Sequence, residues 1–272
     1  MQRRIWTVAK TLTEEYAGPL YQATLCTRCR RSDTPAQRAQ KRNRTSEKQK
    51  LLNQKNAWRL LMRQLAANFP TAGSAIIATL TYDDRYLPKY KRPGACRDKV
   101  SEHIRSFLKR LRKARAAAGL PEPVAFYSIE VLTSGSGRWH VHLVLDNTGH
   151  DYDTIRKAWI YGSTTDFCLL RTDKEKNWET QAKYMTKESR ECQDDLCKPG
   201  LKSWSHTKNI KKPERITRIV PDSYVIPIPK GAVEVRQERA DYDYGEFIYV
   251  SYWQPEGWKT GRPRARRKPR TL

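Results

Sequence analysis

The sequence predicts an α+β fold of the split βαβ type, an antiparallel sheet with helices on one face, extended by basic segments at both ends. Three observations point there. Apolar, β-branched runs and amphipathic stretches follow each other in the order strand, helix, strand, strand, helix, strand. The stretch 128–145, SIEVLTSGSGRWHVHLVL, reads as a hairpin around a turn-rich loop at Thr133 to Gly137. Residues 1–50 and 214–272 lack the helical periodicity of 51–213 and are rich in Lys and Arg.

Each element of the central region has a local reason. Leu51, Leu52, Trp58, Leu61, Met62 and Leu65 fall at helical spacing, and Pro70 to Ser74 ends that helix near Phe69. Ala75 to Tyr82, AIIATLTY, is a strand, and a loop with two prolines runs from Asp83 to Pro93. Val100, Ile104, Phe107, Leu108 and Leu111 face inward on a helix from Val100 to Ala118, which Gly119 and Pro121 stop. Lys109, Arg110, Arg112, Lys113 and Arg115 load its remaining surface. After the hairpin come a helix over Asp153 to Ile160, a short strand over Asp166 to Arg171, and a helix over Asn177 to Arg190. In a ferredoxin-like sheet of this order the strand carrying His140 lies inside, between the first strand and its hairpin partner.

The termini read differently. Residues 1–50 are a basic N-terminal extension whose run from Arg38 to Lys50 is a solvated arm suited to phosphate backbone. From Ser203 onward no clear fold is legible. The aromatic-rich part with Tyr242, Tyr244, Phe247, Tyr249, Tyr252, Trp253 and Trp258 suits one or two strands. Packing onto the domain is its simpler role, and stacking of bases its sharper one. The tail GRPRARRKPRTL holds no acid and suits non-specific binding to DNA.

Composition narrows the partners. The 272 residues carry a net charge of +24 with 30% charged residues, which points to a polyanion, above all nucleic acid. No apolar run reaches membrane-spanning length, and the start MQRRIWTVAK has no apolar core of a signal peptide. Six cysteines in a chain this long are no disulfide scaffold, so a reducing cytoplasm is expected. Cys26 and Cys29 form a CxxC, which is half of a zinc site; Cys192 and Cys197, with His206 spare, supply another half at loose spacing, which argues against a structural zinc.

The chemistry gathers on the hairpin. His140 and His142 are two residues apart on a strand and so point to the same face, while Trp139, Val141, Leu143 and Leu145 point to the other. With the hairpin symmetric about Gly135, Glu130 stands opposite His140, and the two imidazoles and one carboxylate form a ligand set with room left for substrate. On the helix EKNWETQAKYMTKES, Trp178, Ala182 and Met185 make the buried stripe, Tyr184 lies at its edge, and Lys187 follows one turn on.

In this order the segments IIATLTYDD, WHVHLVL and AKYMTKE resemble the three conserved motifs of the rolling-circle replication initiators of the HUH endonuclease superfamily, of the phage and plasmid type. NAWRLLMRQLAANF and SWSHTKNIKKP resemble companion segments of the same proteins, so the likeness spans Asn56 to Pro213. The resemblance implies a metal-dependent nickase and strand transferase. His140, His142 and Glu130 would then bind Mg²⁺ or Mn²⁺, Tyr184 would be the nucleophile and Lys187 a catalytic cation beside it. A Walker A motif, GxxxxGK[ST], is absent, which leaves unwinding to a host helicase and extension to a polymerase, on a single-stranded or extruded origin. The alternatives are an HUH transposase or relaxase with the same chemistry, and a non-catalytic RRM-like binder of nucleic acid, against which the absence of an RNP aromatic pattern counts.

Overall fold

The structure is a computed structural model and describes residues 10–27, 47–89, 93–131, 138–149, 151–170, 177–191, 204–242 and 245–254. The chain divides into two compact units, one of residues 45–211 and one that combines residues 1–44 with 212–272.

The unit of residues 45–211 carries strands β3 (Ala75–Leu80), β4 (Ala125–Val131), β5 (Trp139–Asp146), β6 (Thr164–Leu169) and β7 (Ser205–His206). Its helices among the described residues are α1 (Glu47–Asn68), α2 (Pro93–Ala117), α3 (Asp151–Ala158) and α4 (Asn177–Glu191). The strands form one antiparallel sheet in the order β6-β3-β5-β4-β7. The histidine strand β5 therefore lies between the first strand and its hairpin partner, as the split βαβ order requires.

One face of the sheet is apolar because period-2 alternation sends Ile76, Ala78, Leu80, Val141, Leu143 and Leu145 to the same side. They pack against Val100, Ile104, Phe107 and Leu111 of α2 and Ile155 of α3. Full burial of side chains such as Phe107 and Ile104 contributes about 1.5–3 kcal/mol each. Helix α2 begins seven residues before the expected Val100, because Pro93 fits the first helical position, where a missing N–H costs nothing. It ends as expected at Gly119, whose φ of 67° lets Gly119 N–H donate to Ala116 O at 3.2 Å and Leu120 N–H to Arg115 O at 2.9 Å.

The two helices of the βαβ order share that apolar face, and the added helices α1 and α4 lie on the other. Phe69, just after α1, meets Phe126 of β4 edge to face at 5.8 Å, and Trp178 of α4 donates its indole N–H to Phe69 O at 2.9 Å. The histidine face is thus partly roofed rather than left open. The stripe of Trp178, Ala182 and Met185 is buried as its spacing predicts.

Two expectations are corrected. Arg115 belongs not to the exposed surface of α2 but to the interior, 1% exposed, where it bonds Asp146 and Asp151. The terminal segments expected as separate extensions pair with each other. β1 (Lys10–Ala17), β2 (Leu20–Thr27), β8 (Glu214–Val220), β9 (Val233–Tyr242) and β10 (Gly245–Trp253) build a second antiparallel sheet in the order β8-β1-β2-β10-β9. Gly18 and Pro19 close the β1–β2 turn, with Gly18 at φ 56° in the first central position that such a hairpin requires. Leu12, Leu25, Val250 and Tyr252 form the core of this sheet, and Tyr21 stacks on Tyr252 at 4.6 Å. The C-terminal aromatics in this core follow the packing role. Buried Glu14 accepts a 2.9 Å bond from the Tyr21 hydroxyl and pairs with Arg218 at 3.1 Å. Burial first, and the Glu14 carboxylate second, push the Tyr21 phenol far up.

Residues 38–46 of the expected arm, and the tail from 255 onward with Trp258, lie outside the described residues. So do Cys29, Cys192 and Cys197 of the two half-sites for zinc; Cys26 is half-buried on β2.

Candidate functional site

The histidine pair is set by strand register. β4 and β5 pair so that Glu130 faces His140 and Ser128 faces His142, while β3 places Thr79 against His142 from the other side. Directly opposed residues share a face. Thr79, Ser128, Glu130, His140 and His142 therefore occupy one patch, and the hairpin register expected from symmetry is the one observed.

His142 is buried and engages both ring nitrogens. Its Nε2 contacts Glu130 Oε2, and its Nδ1 lies 3.4 Å from Thr79 Oγ1. A carboxylate only accepts, so Nε2–H donates to Glu130 and the Thr79 hydroxyl donates to Nδ1. His140 is half-buried, and its Nε2 is buried without a hydrogen-bond partner. Burial holds the His140 imidazole below the ordinary histidine pKa, and His142 and Arg138 add to this while Glu130 opposes it. The neutral form thus favoured is the one that donates a lone pair to a metal.

Helix α4 completes the patch. Tyr184 projects from the edge of its buried stripe, 48% exposed, and its ring meets the His142 ring edge to face with centroids 4.8 Å apart. Beside it, Lys183 pairs with Glu179 at 2.6 Å and lies 5.0 Å from the Trp58 ring, which ties α4 to α1. Lys187 falls within α4, with its side chain outside the described residues.

Among the described residues no three His, Cys, Asp or Glu side chains already surround one point as a metal centre. Glu130 is turned onto His142. The residues nevertheless fit an ion. An orphaned buried imidazole nitrogen, a second imidazole and a carboxylate lie on adjacent positions of one face, and mixed N and O donors suit Mn²⁺ or Mg²⁺. Thr79 is a site residue that sequence reasoning missed. Its only signal was a polar residue inside an apolar strand, and its partner lies 63 positions away.

Residues 75–189 match the model of a family described as replication-associated protein, of the ORF2 type. The matched span runs from the start of β3 into α4 and contains every one of Glu130, His140, His142, Tyr184 and Lys187. The class of protein it supports is a replication-associated protein. No curated protein and no solved structure matches the chain. No helix among the described residues is long and apolar enough to cross a membrane.

Proposed function

We propose that this chain is a rolling-circle replication initiator that nicks a single-stranded or extruded origin with Tyr184 as nucleophile. The observation that carries the reading is the approach of Tyr184 on α4 to His142 on β5, at 4.8 Å between rings, beside the Glu130–His140 pair. Four elements from distant parts of the chain bring a tyrosine and a candidate ligand set to one patch, and mere packing does not need an exposed tyrosine there.

His140, His142 and Glu130 would hold Mg²⁺ or Mn²⁺, which supplies charge stabilisation at the scissile phosphate. Tyr184 Oη attacks the phosphorus. The O–P bond to tyrosine forms as the P–O3′ bond breaks, the phenolic proton passes to solvent, and the departing 3′ oxygen takes up a proton. The products are a 5′-phosphotyrosine and a free 3′-hydroxyl. A phenol has a reference pKa of about 10, so it needs a cationic setting to react near neutrality. Lys187, one turn on from Tyr184, is the protein's own cation for that role. The phosphotyrosine keeps the cleaved bond's energy, so attack by a 3′-hydroxyl religates the strand without ATP. The 3′-hydroxyl primes a host polymerase, and a host helicase unwinds ahead of it.

The test is a nicking assay on labelled single-stranded oligonucleotides from the parent replicon, with Mn²⁺, with EDTA, and with Tyr184→Phe. The expected result is an SDS-stable protein–DNA adduct that needs metal and disappears in Tyr184→Phe. Tight DNA binding without an adduct under any metal would overturn the proposal.

A further inference from the structure

We infer that the edge segment Trp204–Lys211 is a stacking site for unpaired bases of single-stranded DNA next to the candidate cleavage patch. The inference deepens the function proposed above and rests on it for the identity of the strand.

The placement follows from register. β7 pairs with β4 so that His206 faces Phe126. Phe126, Ser128 and Glu130 alternate onto one side of β4, so His206 and Trp204 lie on the histidine face and not on the apolar one. At about 3.3 Å per residue, the Phe126 row lies roughly 7 Å along the strand from the Ser128–His142 row. That separation suits a strand whose scissile phosphate sits at His142 and whose next nucleotides run along the β4–β7 edge.

The surface there has the chemistry of a base platform. The Trp204 and His206 rings lie 5.8 Å apart, and both rest on Phe126, at 6.1 and 5.9 Å. His206 is exposed and Trp204 half-buried, so the pair presents aromatic surface outward over a buried aromatic floor. His206 Nδ1–H donates to Thr207 O at 2.7 Å, which fixes the ring and turns Nε2 away from that bond. Lys208 and Lys211 are exposed, and the segment 204–211 holds no acid. Aromatic faces with interleaved cations accept any base and its phosphate, which is the requirement for single strands.

The segment is also held in place, as a platform must be. Thr207 N–H donates to Ala125 O at 2.9 Å, and Ala125 N–H donates to Thr207 Oγ1 at 3.1 Å. Further on, Lys211 N–H donates to Asn68 Oδ1 at 2.8 Å, and Asn68 Nδ2 donates back to Lys211 O at 2.9 Å. Little ordering cost remains to be met when DNA arrives.

The experiment measures affinity of the full-length protein in EDTA, by fluorescence anisotropy, for a thymidine 20-mer and for an abasic 20-mer with the same phosphates. Trp204→Ala should weaken binding of the thymidine strand by roughly 5- to 150-fold, the range for loss of one stacked base, and of the abasic strand by less than about twofold. Equal losses on both strands, or none on either, would overturn the inference and leave Trp204 as packing for Phe126. If Trp204→Ala does not fold, His206→Ala at the exposed position is read by the same comparison, with the same two outcomes. Cleavage is scored separately. An adduct from a protein that shows no base-dependent loss removes this inference alone, and base-dependent binding without any adduct removes the nickase and keeps the platform.

Discussion

Strand β5 has a charged cluster at each end, and the two are built on opposite plans. At its C-terminal end Arg115 is 1% exposed, and its guanidinium bonds both Asp146 carboxylate oxygens at 2.8 Å, Asp146 O at 2.8 Å and Asp151 Oδ1 at 2.8–3.0 Å. Val124 N–H donates to Asp146, and the Thr148 backbone and hydroxyl donate to Asp151, so each carboxylate is satisfied from several sides. At the N-terminal end His140 keeps a buried nitrogen without a partner, and Tyr184 stands half in solvent over His142. A cluster that closes all its hydrogen bonds holds structure together. One that leaves a donor atom open at the surface of a fold is prepared for something that arrives later.

Substitutions can break or sharpen this contrast. The largest loss of stability is expected for Arg115→Met, which strands buried Asp151 without a counter-charge. About 3–5 kcal/mol should be lost, read as a lower denaturant midpoint with an unchanged slope. His140→Ala should do the reverse, with folding stability altered by less than about 1 kcal/mol and Mn²⁺ binding weakened by two orders of magnitude or more, measured by calorimetry on the apoprotein. If His140→Ala unfolds the protein as Arg115→Met does, the two clusters are alike and the contrast fails. Thr79→Val should cost about 10- to 100-fold in Mn²⁺ affinity, and Thr79→Ser should restore most of it. A hydroxyl both donates and accepts, so it can hold Nδ1 of His142 in the tautomer that frees Nε2 for a ligand. The smallest effect belongs to Arg112, three residues before Arg115. Its 2.6 Å bond to Glu122 is half exposed on both sides, and Arg112→Ala should shift stability by no more than about 1 kcal/mol.

Much of the candidate site was legible because it is local. His140 and His142 declare their shared face by spacing alone, and a short hairpin brings Glu130 opposite. Tyr184 was legible by its place at the edge of a helical stripe, although nothing in that stripe says which strand it meets. The second sheet was not legible, for physical reasons. Its strands come from opposite ends of the chain, and its edges, ERITRIV and VEVRQERADY, carry alternating charge that reads as solvated loop. Glu14 looks like surface and is instead 6% exposed, because Tyr21 and Arg218 satisfy it from neighbouring strands. Arg115 misleads in the same way, since both its aspartates lie more than thirty positions downstream.

The pairing of β2 with β10 also sets a timetable. During synthesis the β1–β2 hairpin leaves the ribosome first, and a lone two-stranded hairpin is marginal in water. The strands that flank it, β8 on β1 and β10 on β2, are made last, after the whole unit that carries the histidine patch. At about 5–20 residues per second the hairpin waits tens of seconds with both edges open. In a nascent chain the unit that bears His142 and Tyr184 can therefore fold before the terminal sheet closes, and a ribosome that stops early leaves that patch attached to an unpaired, adhesive hairpin.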